Sequence, residues 1–170
     1  MRVFAHGIQG LAAEGIHLAL CARGAERIRQ TAEDITTEFG VRCLGVPADV
    51  SKAEDIRNFV GVVEAEFGGV DILINNAGVG SEETVMEAPD EKWQYYWDLQ
   101  VMASVRLSRG LIPFMRQRGW GVIINNASDS GLVGEPNLAA YCASKGAVVL
   151  LTKAMAMPAT PGETTSLAAA

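Results

Sequence analysis

The sequence has few features that would direct the protein to nucleic acid or to a membrane. Its 14 Lys and Arg residues are outnumbered by 20 Asp and Glu residues, which gives a formal charge of −6. Such a charge argues against a general surface for nucleic acid or anionic lipid. No apolar run approaches the ~20 residues that cross a bilayer, and the first residues lack the apolar core of a signal peptide. We therefore expect no nucleic-acid partner and no membrane association.

Cysteine and histidine are also scarce. Cys21, Cys43 and Cys142 stand apart in apolar surroundings and form no Cys-x-x-Cys pair. The two histidines, His6 and His17, have no nearby group of carboxylates or thiols. This pattern predicts reduced cysteines that pack in the core of a cytoplasmic protein, and no metal site.

The remaining composition is that of an ordinary globular protein. The chain has 170 residues, of which 49% are hydrophobic and 20% charged, so one domain with a substantial core is expected. We place this domain at residues 1–157. Pro158 then ends the last helix, and residues 158–170 show no periodicity, which predicts a disordered tail.

Short apolar runs alternate with helical patterns along the chain, which predicts an α/β fold with a parallel sheet. The predicted strands are residues 16–22, 41–46, 70–75 and 121–125. The two longest predicted helices are residues 91–118, which follow Pro89, and residues 138–155.

Three side chains with complementary chemistry lie near the predicted carboxyl edge of this sheet. Ser128 follows the strand 121–125, on the side where parallel sheets bind ligands. Tyr141 and Lys145 share one face of the next helix because they are four residues apart. An ammonium favours the phenolate form of a neighbouring phenol, and a serine hydroxyl can hold a substrate oxygen while a proton moves. The trio suits hydride transfer to or from a carbonyl.

The Tyr-x-x-x-Lys pair is weak evidence when taken alone. A tyrosine that packs on the core beside a lysine that reaches water would have the same spacing. The serine lies thirteen residues before Tyr141, at the end of a strand, and this combination favours the catalytic interpretation.

The same residues make the sequence resemble the short-chain dehydrogenases/reductases in their single-domain form. The resemblance depends on Ser128, on the run from Tyr141 to Lys145 and on Asn75-Asn-Ala-Gly78, and it extends from about Leu11 to Met155. It implies a Rossmann-like, doubly wound parallel sheet, so that the predicted domain becomes a partial dinucleotide-binding domain. It also implies an NAD(P)(H)-dependent oxidoreductase that interconverts a small-molecule alcohol and a carbonyl.

The resemblance assigns a role to each catalytic candidate. Tyr141 would be the acid or base, Lys145 would stabilise its phenolate form and contact the ribose, and Ser128 would hold the substrate oxygen. Gln100 lies 28 residues before Ser128, where the family usually has an asparagine that holds a relay water. A glutamine can also donate and accept hydrogen bonds, but its side chain is one methylene longer.

The resemblance also implies a set of cofactor-binding residues. They are Arg23, Asp49, Val50, Asn76, Ala77, Gly78, Tyr141 and Lys145. At the position of Ala22, members of the family that use NAD carry an acidic residue. An alanine followed by Arg23 suits the additional phosphate of NADP instead, although a surface arginine in a turn is the alternative. We expect NADP(H) to be favoured over NAD(H).

Both ends of the sequence depart from the family pattern. The T-G-x-x-x-G-x-G turn that holds the pyrophosphate is absent. Phe4, Ile8 and Leu11 form a stripe that predicts a helix at residues 3–14, although residues 2–5 could instead be the remnant of a first strand. We expect an incomplete sheet, in which the first strand and the last two strands are missing or degenerate, as in a chain truncated at both ends.

The two longest predicted helices carry more apolar positions than one core-facing stripe requires. In the resembling family these helices form the dimer interface, so a homo-oligomer through residues 91–118 and 138–155 is expected. An alternative function follows from the same helices. The chain could be a non-catalytic fragment or a dimerisation module that retains only this interface.

Overall fold

The computed structural model describes residues 3–80, 82–156 and 166–169, with side chains at residues 7–80 and 82–156. The chain forms two compact units, Met1–Asp49 and Val50–Ala170. Each unit combines helices with parallel strands, so the predicted α/β class is confirmed. The predicted domain bounds, 1–157 and 158–170, stay predictions.

The first unit is a helix followed by a strand–helix–strand repeat. Its elements are α1 (Val3–Ala13), β1 (Leu18–Ala22), α2 (Ala25–Phe39) and β2 (Cys43–Pro47). The two strands are parallel, with Leu18 opposite Cys43. This pairing is the one that a right-handed crossover through α2 is expected to give.

Helix α1 confirms the helical interpretation of the N-terminal stripe. From Val3 onward the alternative strand at residues 2–5 is wrong, since the backbone there is helical. Ile8 and Leu11 pack against a buried cluster of Ala12, Leu18, Ile35 and Val41. Removal of these apolar groups from water stabilises the unit, and the 3.6-residue period of the stripe is the pattern that this packing requires.

The second unit contains the remaining elements. They are α3 (Ala53–Phe67), β3 (Ile72–Asn75), α4 (Asp90–Tyr96), a π-helical segment (Trp97–Met102), α5 (Ala103–Arg118), β4 (Val122–Asn125), a 3₁₀ turn (Asp129–Gly131), α6 (Ala139–Ala156) and β5 (Ser166–Ala169). The strands form a parallel sheet in the order β3–β4–β5. Two sheets of this small size agree with the incomplete sheet that was predicted.

Strand β5 corrects the prediction for the C-terminal residues. The expected disordered tail is wrong for Ser166–Ala169, which pair in parallel with Val122–Asn125. The last two strands were expected to be missing or degenerate, and a strand of only four residues agrees with a degenerate one. Ser-Leu-Ala-Ala contains no β-branched or aromatic residue and is too short to show alternation. Its strand depends on backbone groups offered by the edge of β4, which no sequence pattern displays. Pro158, and the rest of residues 157–165, lie outside the described residues.

The long helix predicted at residues 91–118 is interrupted by a wider turn. The π-helical segment separates α4 from α5 and contains Gln100, which is buried. Segments with this i to i+5 hydrogen-bond pattern are rare and occur frequently at functional sites. The widened turn is a backbone feature that the apolar spacing of the helix does not reveal.

A buried hydrogen-bonded chain of polar side chains joins β3, β4 and α6. Asn75 Nδ2 donates to Asn125 Oδ1 at 2.8 Å, and Asn125 Nδ2 donates to Thr152 Oγ1 at 2.8 Å. Thr152 Oγ1 in turn donates to the carbonyl oxygen of Val148 at 2.7 Å. Asn125 is only 1% exposed, so its amide has to be satisfied by the protein. The chain therefore ties the ends of two strands to the helix behind them.

We expect Asn125→Ala to destabilise the protein strongly. The substitution leaves donors or acceptors of Asn75 and Thr152 without partners, which should lower the free energy of unfolding by about 3 kcal/mol. Urea denaturation followed by circular dichroism measures this change. Asn58→Ala, on the exposed side of α3, is the control and should change stability by less than about 0.5 kcal/mol. Equal effects of the two substitutions would contradict the proposed role of the Asn125 amide.

Two further observations concern membranes and metals. None of the helices in the described part of the chain combines the length and the apolar character that a membrane crossing requires. Among residues 7–80 and 82–156, no three His, Cys, Asp or Glu side chains are grouped in a way that could hold a metal ion.

Candidate active site

The buried ammonium of Lys145 lies at the centre of the candidate site, on α6. The residue is 5% exposed, and Nζ donates to the carbonyl oxygen of Asn126 at 2.7 Å, just beyond the end of β4. The same nitrogen lies 5.7 Å from the centre of the Tyr141 ring. Burial lowers the pKa of Lys145 below its usual value, because the charged form loses its hydration. The predicted proximity of this lysine and tyrosine is therefore present in the structure.

The ring of Tyr141 is held from two sides. It makes an edge-to-face contact with Tyr96, with ring centres 6.5 Å apart and planes at 74°. On another side Gly80 approaches the ring, since a Cβ on that glycine would lie 3.8 Å from two ring carbons. Edge-to-face pairs of aromatic rings are favourable. The contacts restrict the orientation of the phenol at the carboxyl edge of the sheet.

Gln100 reaches the same place from the π-helical segment. Its Nε2 donates to the carbonyl oxygen of Val79 at 3.1 Å, whereas its Oε1 is buried and has no partner among the described residues. A Cβ on Gly78 would lie 3.4 Å from Gln100 Oε1 and 3.5 Å from Lys145 Nζ. The glycine therefore lies between the amide and the ammonium. A buried amide oxygen without a partner is costly unless a water or a ligand group satisfies it.

The Asn-Asn-Ala-Gly motif, residues 75–78, lies at the end of β3 and belongs to the site. Asn76 Oδ1 accepts a hydrogen bond from Asn126 Nδ2 at 2.8 Å, so the two strand ends are also linked one residue beyond their last pair. Ala77 and Gly78 are exposed, and the methyl group of Ala77 and the missing side chain of Gly78 leave the backbone open to a ligand.

Ser128 belongs to a different part of the site, the 3₁₀ turn after β4. Its extended backbone places the side chain as the cap of the turn, where Oγ accepts a hydrogen bond from the Ser130 amide at 3.2 Å. A Cβ on Gly131 would lie 2.7 Å from the carbonyl carbon of Lys145. Only glycine permits this approach, which brings the turn against the part of α6 that carries Lys145.

The structure adds three residues that sequence reasoning missed. Ser128 Oγ lies 3.0 Å from Asp129 Oδ1 and 3.1 Å from Ser130 Oγ, and Ser130 Oγ donates to Glu135 Oε1. The carboxylate of Glu135 can only accept, so it takes the proton of Ser130, and the proton of Ser128 points to Ser130 or Asp129. The only sequence signal was the polar, Gly- and Pro-containing composition of this loop, which does not reveal such bonds.

Comparison with known proteins identifies the family of the chain. The family described as "short chain dehydrogenase" matches residues 6–165. The chain belongs to this family. It is 38% identical over 148 residues to D-beta-hydroxybutyrate dehydrogenase from Rhizobium meliloti, an alignment that covers 86% of this chain and 57% of the relative.

Two solved structures of this family resemble the chain closely. L-sorbose reductase from Gluconobacter frateurii, complexed with NADPH and L-sorbose, is 47% identical with a TM-score of 0.86, covering 90% of this chain and 58% of that one. An alcohol dehydrogenase from Thermococcus sibiricus, complexed with 5-hydroxy-NADP, is 28% identical with a TM-score of 0.84, covering 88% and 63%. The chain thus spans less than two thirds of the length of these relatives.

The residues assigned to the adenine side in this family lie at the end of the first unit's strands. Arg23 follows β1 and is exposed, and Asp49 comes two residues after β2. The amide of Ala48 donates to the carbonyl oxygen of Ala22 at 3.0 Å, so Arg23 and Asp49 leave the paired strands at the same edge. Val50 is buried and begins the second unit. The roles of all these residues stay predictions.

We expect the burial of Lys145 to make stability depend on pH. The unfolded chain binds the lysine proton more tightly than the folded chain. Burial of the protonated lysine therefore lowers the free energy of unfolding, and this destabilisation is fully present below the lowered folded-state pKa. The free energy of unfolding of the wild type, relative to Lys145→Met, should rise as the pH increases through that pKa toward 10.5. The rise should be about 1.4 kcal/mol for each unit by which the pKa is lowered.

Urea denaturation at a series of pH values measures this difference. Lys153→Met is the control, because Lys153 is exposed near the end of the same helix. If the difference in free energy of unfolding between the wild type and Lys145→Met is the same at every pH, the ammonium is not desolvated.

Proposed function

We propose that the protein is an NAD(P)(H)-dependent oxidoreductase that interconverts an alcohol and a carbonyl. The observation that carries the proposal is the buried ammonium of Lys145 beside the ring of Tyr141, with the amide oxygen of Gln100 unpartnered nearby. A desolvated cation next to a phenol favours the ionised phenol. Perturbed groups of this kind occur frequently at catalytic sites.

The similar proteins support the same class of reaction. Their names refer to a hydroxybutyrate dehydrogenase, an L-sorbose reductase and an alcohol dehydrogenase, and two of them are described with NADP-type nucleotides. A cytoplasmic location is part of the proposal, since the three cysteines are free thiols, as is usual in a reducing compartment.

The residues at the strand ends fit a nicotinamide cofactor. Gly78 leaves space beside the Lys145 ammonium and the unpartnered oxygen of Gln100, which a larger side chain would fill. Lys145 and Tyr141 would contact the ribose, and the exposed backbone of Ala77 and Gly78 would lie along the nucleotide. When bound, the cofactor supplies or accepts the hydride.

Residues of the chain donate and accept the proton. In reduction, the Tyr141 phenol gives its proton to the carbonyl oxygen while the carbonyl carbon receives the hydride. In oxidation, the phenolate takes the proton of the alcohol. Lys145 stabilises the phenolate, Ser128 holds the substrate oxygen, and Gln100 Oε1 holds a water that exchanges the proton with solvent.

We expect Tyr141→Phe to abolish turnover without unfolding the protein. Loss of the acid–base group should reduce kcat by at least about 10³-fold. Turnover of L-sorbose or acetoacetamide with NADPH is followed by the absorbance of the reduced nicotinamide, and circular dichroism monitors the fold. Tyr95→Phe is the control, because it removes a hydroxyl from a tyrosine that lies on α4 rather than beside Lys145. Turnover that survives in Tyr141→Phe would refute the assignment.

A second candidate function is supported by exposed apolar side chains. Trp97 in the π-helical segment is 44% exposed and Leu150 on α6 is 67% exposed. Such side chains suit a homo-oligomer through residues 91–118 and 138–155. A chain that associates through these helices but turns over neither ketone would be a non-catalytic dimerisation module.

We propose further that Arg23 favours NADP(H) over NAD(H). A guanidinium at the end of β1 can pair with the phosphate that distinguishes the two cofactors. Arg23→Ala should therefore weaken NADPH binding about tenfold while it leaves NADH binding nearly unchanged, as expected for the loss of one charge-assisted hydrogen bond. Titration calorimetry measures both constants. Arg27→Ala, on α2, is the control. An equal loss of affinity for NADPH and NADH would show that Arg23 does not bind the phosphate that distinguishes them.

A further inference from the structure

The two loops beside the candidate site carry negative charge only. Residues 127–138 contain Asp129 and Glu135 but no Lys, Arg or His, and residues 76–89 contain three acidic residues and no basic one. The loops are joined to each other, since the Glu83 amide donates to the carbonyl oxygen of Asn137 at 2.6 Å. The rim of the site next to Ser128 is therefore acidic.

Two of these carboxylates are held close to the catalytic serine. Asp129 Oδ1 lies 3.0 Å from Ser128 Oγ and accepts the Ser130 amide at 2.9 Å. Glu135 accepts the hydroxyl proton of the buried Ser130, which lies 3.1 Å from Ser128. The Glu135 amide also donates to Cys142 Sγ at 3.5 Å, so the loop is attached to α6. A substrate whose oxygen is held by Ser128 would therefore lie next to Asp129, with Glu135 one hydrogen bond further away through Ser130.

Two cations that contact these loops or the site, Lys92 and Lys145, already have partners. Lys92 forms an ion pair with Glu83, and Lys145 is buried with Nζ bonded to the carbonyl oxygen of Asn126. Glu87 adds further negative charge to the same loop. The carboxylates of the rim should therefore repel an anionic substrate, since the ammonium of Lys145 is already bonded to the Asn126 carbonyl.

We propose that the site takes an uncharged, hydroxylated alcohol or ketone and rejects carboxylates and phosphates, with Asp129 and Glu135 as the residues that determine this specificity. The inference rests on the proposed function and adds the substrate class to it. Asp129 and Glu135 are exposed, and like charges at about 4 Å still repel each other in water. Each carboxylate uses one oxygen in the bonds described above, and its second oxygen can accept a hydrogen bond from a substrate hydroxyl.

The test compares two ketones that differ in charge but hardly in shape. Acetoacetamide is neutral, whereas acetoacetate carries a carboxylate of nearly the same size. With NADPH at one saturating concentration, the wild type should show the higher kcat/KM for acetoacetamide. In Asp129→Asn/Glu135→Gln this preference should fall on the order of tenfold or more, because two negative charges are removed. If the double substitution also alters Ser128 or cofactor binding, that effect acts on both ketones and cancels in the ratio of their kcat/KM values.

The control removes the same amount of charge elsewhere. Glu64→Gln/Glu66→Gln alters two exposed glutamates near the end of α3, which precedes the amino end of β3. Its ratio should equal that of the wild type. A wild type that uses acetoacetate as well as acetoacetamide would overturn the inference, and so would an unchanged ratio in Asp129→Asn/Glu135→Gln.

A binding measurement separates this inference from the proposed function. Both ketones are titrated into isotope-labelled protein, and the shifts of the Ser128 and Ser130 amide resonances give their affinities. If no ketone is turned over, the proposed function fails. Tighter binding of acetoacetamide in the wild type, lost in Asp129→Asn/Glu135→Gln, would then still support charge-based selection. Equal affinities would refute it.

Discussion

The buried ammonium of Lys145 imposes the constraint on which the rest of the site depends. A charge that loses its water is tolerated inside a protein only if polar groups replace that water. Here the carbonyl oxygen of Asn126 accepts one of its protons at 2.7 Å. The helix that carries the lysine must therefore keep its register relative to the end of β4. Gly131 meets this requirement as well, since it allows the turn after β4 to lie against the Lys145 carbonyl.

Repeated asparagines hold the strand ends that present this carbonyl. Both β3 and β4 end in an asparagine that is followed by a second asparagine, and the parallel register places Asn75 opposite Asn125. The side chains of each pair are joined, Asn75 to Asn125 and Asn76 to Asn126. Hydrogen bonds between buried amides are specific in geometry and costly to break. The same four side chains thus support the sheet and orient the backbone that the ligand would meet.

The acidic loops add a second electrostatic element to the site. In the proposed function, Tyr141 and Lys145 move the proton, whereas Asp129 contacts the serine that would hold the substrate and Glu135 contacts the neighbouring Ser130. The proposed proton transfer thus depends on residues of α6, and the negative charge comes from loop residues. Loops are where proteins of one fold commonly differ in what they bind.

Local patterns in the sequence were sufficient for the regular elements and for part of the site. The apolar runs located β1 to β4, the stripe of Ile8 and Leu11 located α1, and the four-residue spacing of Tyr141 and Lys145 placed both on one face of α6. These features depend on residues close in the chain, so the spacing of the residues along the sequence is sufficient to predict them. Only the tertiary structure decided the π-helical turn that carries Gln100, the pairing of β5 with β4, and the bonds that join Ser128 to Asp129, Ser130 and Glu135. Each of these depends on backbone groups and side-chain orientations that come together only when the chain is folded, and hydrogen bonds of that kind leave no period in the sequence.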